Sequence, residues 1–268
     1  MDDRCLSCNL CLASDFEPYL DASPCGRSLV RCRDCGLVAA LPAERTGPAA
    51  PGAVPHRVRD VRTDLKRAAA VMRILPAGKI LEVGCGAGSL LACLDPARYE
   101  VVGVETSASL AAEARRSLAE SGVRGVILEG CIIEAKLSSE TFDLVAMFGA
   151  LGRCPSPRTA LMKASGLLRG GGYAVIETPS LSSLTARLWG TRWQPLGDPT
   201  AEYFFTTATL ERLTAVCGLT SGAAWLTLPI GWPALGTLVY VARKSGVPVR
   251  LSELAPEVGK MTPMGATR

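Results

Sequence analysis

The stretch Leu81-Glu82-Val83-Gly84-Cys85-Gly86-Ala87-Gly88 decides the interpretation of this chain. It places three glycines at alternate positions, directly after the short apolar run 79–83. Glycine lets a backbone turn sharply and approach a ligand closely. A helix that begins after such a turn presents free N–H groups to anionic atoms. The stretch therefore predicts a strand, a tight turn (residues 84–88, the glycine turn) and a helix N-terminus at a binding site for a nucleotide-like ligand.

Two acidic residues near the glycine turn narrow the class of ligand. Glu82 stands where a carboxylate would repel a pyrophosphate but would suit the ammonium of a bound amino acid. Glu105 follows the second predicted strand, 100–104, where an acid accepts the hydroxyls of a ribose. The G-x-G-x-G spacing also differs from the G-x-G-x-x-G of nicotinamide and flavin enzymes. The pattern favours a ligand with a ribose and an amino-acid head; the alternative is an ordinary turn flanked by solvated acids.

Strand and helix patterns alternate from about residue 60 onward. The predicted strands are 79–83, 100–104, 125–128, 142–147 and 173–178, and the predicted helices are 61–75, 89–94, one from an N-cap at Thr106-Ser107 to Ser121, 158–168 and 207–217. Strands separated by helices predict right-handed crossovers and a mostly parallel sheet. Two further apolar runs, near 223–230 and 236–242, predict an antiparallel pair at an edge.

Residues 79–180 resemble class I S-adenosylmethionine-dependent methyltransferases, in the group that includes ubiquinone-type and natural-product O-methyltransferases. Four stretches carry the resemblance in order: 81–88, 101–105, 141–145 and 167–172. The stretch 189–217 also resembles the C-terminal part of that group. The resemblance implies an α/β fold with a Rossmann-like seven-stranded sheet, mostly parallel with the last strand antiparallel, and S-adenosylmethionine as the cofactor.

The resemblance also implies which residues contact the cofactor. Glu105 would hold the ribose, Thr106 would lie along the adenosine, and Cys131 stands where relatives often carry an acid near the adenine. Phe148 would border the cofactor, although ordinary core packing is an equal interpretation. The full predicted set is Glu82, Gly84, Cys85, Gly86, Gly88, Glu105, Thr106, Cys131 and Phe148.

No catalytic residue is predicted. Many relatives place a histidine after the fourth strand, but Arg153 stands near that position and an arginine cannot act as a base. The only histidine of the chain is His56. The stretch around Asp198, Glu202 and Tyr203 is the next place to search, because it should cover the substrate side.

Five of the 11 cysteines fall between Cys5 and Cys32. The pairs Cys5-x-x-Cys8 and Cys32-x-x-Cys35 predict a zinc ribbon, since each pair places two thiolates on one tetrahedral ion. Asn9 and Gly36 follow the two pairs, where the turn favours a left-handed backbone.

The other cysteines of this region leave alternatives open. Cys11 and Cys25 lie outside the two predicted pairs, and the run 5–8–11 is also compatible with the start of an iron–sulfur motif. Unliganded thiols are a further alternative. Residues 31–38 resemble the zinc-binding module that precedes some methyltransferase domains, which favours a structural zinc ion.

Composition divides the chain into a cysteine module (1–40), a Pro- and Gly-rich linker (41–59), a methyltransferase domain (60–245) and a tail (246–268). Of its 268 residues 48% are hydrophobic, so a sizeable core is expected. A membrane span needs about 18 apolar residues, and no apolar run reaches that length. The N-terminus also lacks the apolar stretch of a secretory signal, so we expect a cytoplasmic protein without a membrane partner.

We expect methyl transfer to a small-molecule acceptor, as in O-methylation in secondary metabolism or glycan tailoring. Two alternatives stay open: an RNA methyltransferase that grips its substrate with the zinc module, and a non-catalytic member that binds cofactor or a partner. A net charge of +4, spread along the chain, disfavours nucleic acid without excluding it.

Overall fold

The computed structural model describes residues 7–41, 61–221 and 236–245. The strands are β1 (Phe16–Leu20), β2 (Leu29–Cys32), β3 (Val38–Ala40), β4 (Gly78–Val83), β5 (Tyr99–Glu105), β6 (Arg124–Glu129), β7 (Phe142–Phe148), β8 (Leu168–Pro179), β9 (Tyr203–Phe204), β10 (Leu219–Ser221) and β11 (Thr237–Lys244). The helices are α1 (Val61–Ile74), α2 (Ser89–Ala92), α3 (Ala108–Ser121), α4 (Pro157–Leu167), α5 (Leu184–Trp189) and α6 (Thr207–Val216). The predicted tail, the linker beyond residue 41, the strand near 223–230, Cys5 and His56 lie outside the described residues.

A seven-stranded sheet has the order β10–β11–β8–β7–β4–β5–β6. Strands β4 to β8 pair in parallel, and β11 runs antiparallel to β8. The Rossmann-like sheet with an antiparallel last strand is therefore confirmed. The parallel strands lie between helix-covered faces, which explains why they read as apolar runs in the sequence.

Two local details differ from the sequence prediction. Strand β8 begins at Leu168, because α4 ends at Leu167 and the chain enters the sheet at once. Three glycines, 170–172, lie within the range of β8 at an irregularity in its pairing with β7, and Gly171 has a φ of 81°. At the edge of the sheet, β11 pairs with β10, which precedes the predicted strand near 223–230.

The start of α3 is fixed by the predicted N-cap. The Ser107 hydroxyl accepts a hydrogen bond from the Leu110 N–H, and Gly122 ends the helix in the left-handed conformation. Such a cap satisfies a backbone donor that the first helical turn leaves open. This helix therefore begins directly at the carboxyl end of β5.

A second sheet joins the cysteine module to the methyltransferase domain. Its order is β1–β2–β3–β9, and β3 pairs antiparallel with β9, so that Val38 faces Phe204 and Ala39 faces Tyr203. Three strands come from the cysteine module and one from the stretch that follows α5. The compositional boundary near residue 40 is therefore not a boundary in packing.

The hydrophobic core is also shared between the two regions. Leu10 and Leu37 of the cysteine module belong to the same buried cluster as Leu151 and Phe205 of the larger domain. Burial of this kind stabilises a fold by roughly 1.5–3 kcal/mol for each large apolar side chain. Among the described helices, none is long and apolar enough to span a bilayer.

Two glycines provide a matched test of the parallel sheet. A Cβ on Gly125 would overlap the carbonyl oxygen of Val101 on the neighbouring strand, whereas a Cβ on Gly166 of α4 would have no atom within 4 Å. We expect Gly125→Ala to lower the free energy of unfolding by about 1–3 kcal/mol. Gly166→Ala should raise it by about 0.5–1 kcal/mol, because alanine favours a helix. Urea denaturation of the two variants measures both changes, and equal stabilities would contradict the strand pairing.

Candidate functional site

The glycine turn needs its glycines for both conformation and space. Gly84, Gly86 and Gly88 have φ angles of 69°, 57° and 78°, a region that other residues rarely adopt. A Cβ on Gly84 would lie 3.0 Å from the Cβ of Ala150, and one on Gly88 would lie 3.0 Å from Ala114. The turn therefore packs closely between the exit of β7 and helix α3.

The carboxylate of Glu105 connects this turn to the end of β5. Its Oε2 atom accepts the Gly86 N–H at 2.8 Å, and its Oε1 atom accepts the Ser107 N–H at 2.9 Å. The Thr106 hydroxyl lies 3.3 Å from the same Oε1 atom. Each carboxylate oxygen has capacity for a further donor, so the group can accept two neighbouring hydroxyls of a ligand.

The other predicted contact residues divide into buried and accessible ones. Glu82 and Cys85 are fully buried, and a Cβ on Gly103 would lie 2.7 Å from the Cys85 sulfur. The Cys85 side chain therefore packs against the sheet. Thr106 is exposed and Cys131 is half-buried, both at the carboxyl edge of the sheet.

A buried ion-pair cluster beside Phe148 was not foreseen from the sequence. The Arg67 Nε atom donates to a Glu177 oxygen at 2.8 Å, and Nη1 donates to Asp64 at 2.9 Å. The guanidinium carbon lies 5.2 Å from the Phe148 ring centroid. Burial alone would lower the pKa of Arg67, but Glu177 and Asp64 raise it, so this cation stays charged next to the binding edge. The i,i+3 spacing of Asp64 and Arg67 was visible in the sequence, whereas the pairing of Arg67 with Glu177 was not.

Four cysteines converge in the cysteine module. The sulfur atoms of Cys8, Cys11, Cys32 and Cys35 all lie within 4.8 Å of one another, with Cys8–Cys35 at 3.4 Å and Cys11–Cys32 at 3.5 Å. Tetrahedral zinc with Zn–S bonds of about 2.3 Å places its sulfurs about 3.8 Å apart. The spacing fits one such ion, and four thiols are the number that a tetrahedral site takes.

The backbone shows which cysteine spacing forms the first knuckle. Leu12 donates its N–H to the Cys8 carbonyl, as Gly36 does to the Cys32 carbonyl, both at 2.9 Å. Leu12 has a φ of 69° and Gly36 one of 79°. The two turns are equivalent, so Cys8-x-x-Cys11 has the same knuckle geometry as Cys32-x-x-Cys35. The prediction that Asn9 takes the left-handed conformation was wrong, since Leu12 takes it.

Burial raises the pKa of the Cys8 and Cys35 thiols. A divalent cation at the centre of the cluster would favour the thiolate form instead, because its positive charge stabilises the anion that burial disfavours. Cys25 lies apart from this cluster, where its sulfur contacts the Leu196 carbonyl at 3.6 Å.

The cover segment, residues 190–205, holds Asp198, Glu202 and Tyr203, which the sequence offered as candidates for a catalytic base. Asp198 pairs with Arg153 at 2.6 Å, and the Asp198 carboxylate also accepts the Thr200 hydroxyl. Burial would raise the pKa of Asp198, but the Thr200 hydrogen bond and the Arg153 charge together lower it. Asp198 is therefore an ionised structural partner, which makes it a poor general base.

Glu202 and Tyr203 are engaged by the cysteine module. Glu202 pairs with Arg27 at 2.9 Å, and the Tyr203 hydroxyl accepts the Asn9 side-chain N–H at 2.9 Å. Burial, followed by the charge of Glu202, raises the pKa of Tyr203, which keeps its hydroxyl protonated at neutral pH. The cover segment is thus fastened to the cysteine module by polar contacts as well as by the β3–β9 pair.

Comparison with known proteins shows the family to which the glycine turn and the large sheet belong. Residues 55–221 match a family model described as a methyltransferase domain. The chain belongs to this methyltransferase family. An uncharacterised methyltransferase of Mycobacterium tuberculosis is 34% identical over 119 residues, or 44% of this chain and 59% of the relative. A malonyl-[acyl-carrier protein] O-methyltransferase of Enterobacter lignolyticus is 29% identical over 182 residues, covering 66% of this chain and 69% of the relative.

Solved structures share the fold of this methyltransferase domain. An S-adenosylmethionine-dependent methyltransferase of Thermotoga maritima has a TM-score of 0.53 at 24% identity and covers 69% of this chain and 91% of that one. Magnesium protoporphyrin IX methyltransferase of Synechocystis PCC 6803, solved with bound SAH, has a TM-score of 0.54 at 16% identity, with coverages of 69% and 83%. Each similarity covers 69% of this chain, and the chain spans 59% of the mycobacterial relative's length.

The Asp198–Arg153 pair predicts a pH-dependent contribution to stability. Because the folded pKa of Asp198 lies below its ordinary value of 3.8, the ionised carboxylate stabilises the fold above that value, and the gain is lost as pH falls through the folded pKa. We expect Asp198→Asn to lower the free energy of unfolding at pH 7 by on the order of 1 kcal/mol. Urea titrations at pH 7 and pH 3 should show this difference shrinking at the lower pH. A difference that grows toward acid would contradict the assignment, and Asp95→Asn, at an exposed pair, is the control.

Proposed function

We propose that the methyltransferase domain transfers a methyl group from S-adenosylmethionine to a small-molecule acceptor. The observation that carries the proposal is the Glu105 carboxylate, held by the Gly86 and Ser107 N–H groups at the carboxyl edge of the sheet. Family membership supports the same reaction. The modest and dispersed net charge of +4 favours a small molecule over RNA as the acceptor.

The residues present fit this cofactor. The glycine turn is packed so closely that a Cβ at Gly84 would approach the Cβ of Ala150 to 3.0 Å, so this turn requires glycine. Glu105 offers paired acceptor oxygens for the two ribose hydroxyls, with Thr106 beside it. Glu82, Gly84, Cys85, Gly86 and Gly88 would surround the methionine end, and Cys131 and Phe148 would lie along the adenosine and sulfonium sides.

When bound, S-adenosylmethionine supplies a sulfonium methyl group; a nucleophilic atom of the acceptor bonds to that carbon as the S–C bond breaks, and S-adenosylhomocysteine and a proton are released. The chain contributes alignment, which is the main requirement of an in-line displacement. The Arg67 guanidinium packs against the Phe148 ring, and the Arg67–Glu177 pair connects α1 to the end of β8. We assign no catalytic base, since Asp198, Glu202 and Tyr203 are all engaged in structural contacts.

We also propose that Cys8, Cys11, Cys32 and Cys35 hold one structural zinc ion. Their mutual spacing and their two equivalent knuckles support the proposal. Four thiolates complete the tetrahedral coordination, so the ion has no open position for a substrate. Its role would be to fix the cysteine module against the cover segment.

Replacing Glu105 tests the cofactor site. Glu105→Ala should weaken binding of S-adenosylmethionine about tenfold or more, because two ribose hydroxyls and two backbone N–H groups lose a charged acceptor. Glu105→Gln keeps one acceptor oxygen and should fall between the wild type and the alanine variant. Isothermal titration calorimetry measures the three affinities. Unchanged affinity in Glu105→Ala would remove Glu105 from the site, and no binding to the wild type would reject the proposed function.

Metal analysis of single-cysteine variants tests the zinc site. The purified protein should contain about one zinc per chain, and Cys11→Ser and Cys32→Ser should each lose most of it. Cys25→Ser is the matched control and should retain the metal, as should Cys5→Ser. Retention of zinc in Cys11→Ser together with its loss in Cys5→Ser would reverse the assignment of the first knuckle. Iron in place of zinc would overturn the site as proposed.

A further inference from the structure

A cavity of about 320 Å³ lies between the cysteine module and the cover segment. Phe16, Leu37 and Ala39 form its wall on the module side, and Pro155 and Tyr203 face them from the methyltransferase domain. A volume of this kind is at the lower end of the range for small-molecule sites. Neither region forms the cavity alone.

The first knuckle supplies one edge of this cavity. Cys8 and Asn9 line it, and Asn9 stands between two of the four clustered cysteines. The Asn9 amide donates to the Tyr203 hydroxyl at 2.9 Å and accepts from the Ser156 hydroxyl at 2.8 Å. These hydrogen bonds connect the knuckle to Tyr203, so the four-cysteine cluster and the cavity wall are directly joined.

The same cavity reaches the carboxyl edge of β7 through Arg153. This side chain lines the cavity, and its Nη1 atom donates to the Gly149 carbonyl at 2.5 Å. Gly149 directly follows β7, and its neighbour Ala150 is in contact range of Gly84. The stretch 149–153 therefore lies close to the glycine turn at Ala150 and lines the cavity at Arg153.

The electrostatics of the lining indicate the kind of ligand. Arg153 is neutralised by Asp198 and hydrogen-bonded to Thr200, and Glu202 is neutralised by Arg27. A charged ligand would have to break one of these pairs, whereas the walls of Phe16, Leu37 and Ala39 favour an apolar one. The lining therefore fits an uncharged compound.

We propose that this cavity is the acceptor site and that it takes an uncharged, largely apolar compound of one or two rings. The proposal rests on the proposed function, because the methyl donor must lie at the adjacent edge. It also gives the cysteine module a second role, because the knuckle shapes the acceptor site.

Binding of 2-naphthol, a fluorescent two-ring phenol, tests the site in the full-length protein saturated with S-adenosylhomocysteine. We expect one saturable site with a Kd below about 1 mM. Ala39→Phe fills the cavity and should weaken 2-naphthol binding about tenfold or more, while Ala39→Val should weaken it less. Ala119→Phe makes the same change on the exposed face of α3 and should leave binding unchanged. Affinity for S-adenosylhomocysteine should be equal in all four proteins.

A second measurement locates the probe without any variant. Intermolecular nuclear Overhauser effects should connect the 2-naphthol ring protons with the rings of Phe16 and Tyr203 in the wild type. The proposal is overturned by an absence of saturable binding, by equal 2-naphthol affinity in Ala39→Phe, or by competition between 2-naphthol and S-adenosylhomocysteine. Loss of S-adenosylhomocysteine binding by the wild type would instead reject the proposed function, so the two failures are distinguishable.

Discussion

The binding edge of this protein depends on one buried carboxylate, that of Glu105. Its two oxygens receive N–H groups from the glycine turn and from the start of α3, and its own carbonyl accepts the Gly130 N–H that follows β6. The exits of three neighbouring strands are thus joined at a single residue. Buried N–H groups without an acceptor are costly, and a buried carboxylate without donors costs more. The arrangement is stable because each side satisfies the other, and each carboxylate oxygen keeps capacity for a further donor.

The sequence predicted the large sheet well because each of its signals is local. Apolar runs, an N-cap at Ser107 and glycines at alternate positions depend on neighbours a few residues away, and the strands and α3 formed where these signals stood. The features that escaped prediction join distant residues. Arg67 and Glu177 are 110 positions apart, and nothing in the periodicity around either residue indicates the other. The start of β8 was missed for a different reason, since the three successive glycines before Tyr173 resemble a turn in the sequence and lie at an irregularity in the β7–β8 pairing.

The cysteines show where spacing alone is ambiguous. The run 5–8–11 contains two overlapping knuckle patterns. The pair Cys5 and Cys8 was predicted because Asn9, which follows it, tolerates the left-handed conformation. The structure instead gives that conformation to Leu12, an unfavourable residue for it, because the equivalent turns at Leu12 and Gly36 bring four sulfurs together. Tertiary convergence outweighs a local preference of this size. The same convergence explains why a compositional boundary near residue 40 does not separate two packed bodies.

The β3–β9 pair has a consequence for synthesis of the chain. The partner strand of β3 lies about 165 residues further along, so this contact is among the most non-local in the fold. On the ribosome, β1 to β3 emerge with one edge unpaired and one apolar face uncovered until the cover segment has been made. A nascent chain in this interval carries an open strand edge, which is a template for association with other chains. Early capture of a metal ion by the two knuckles would keep these three strands in order while the rest of the protein is translated.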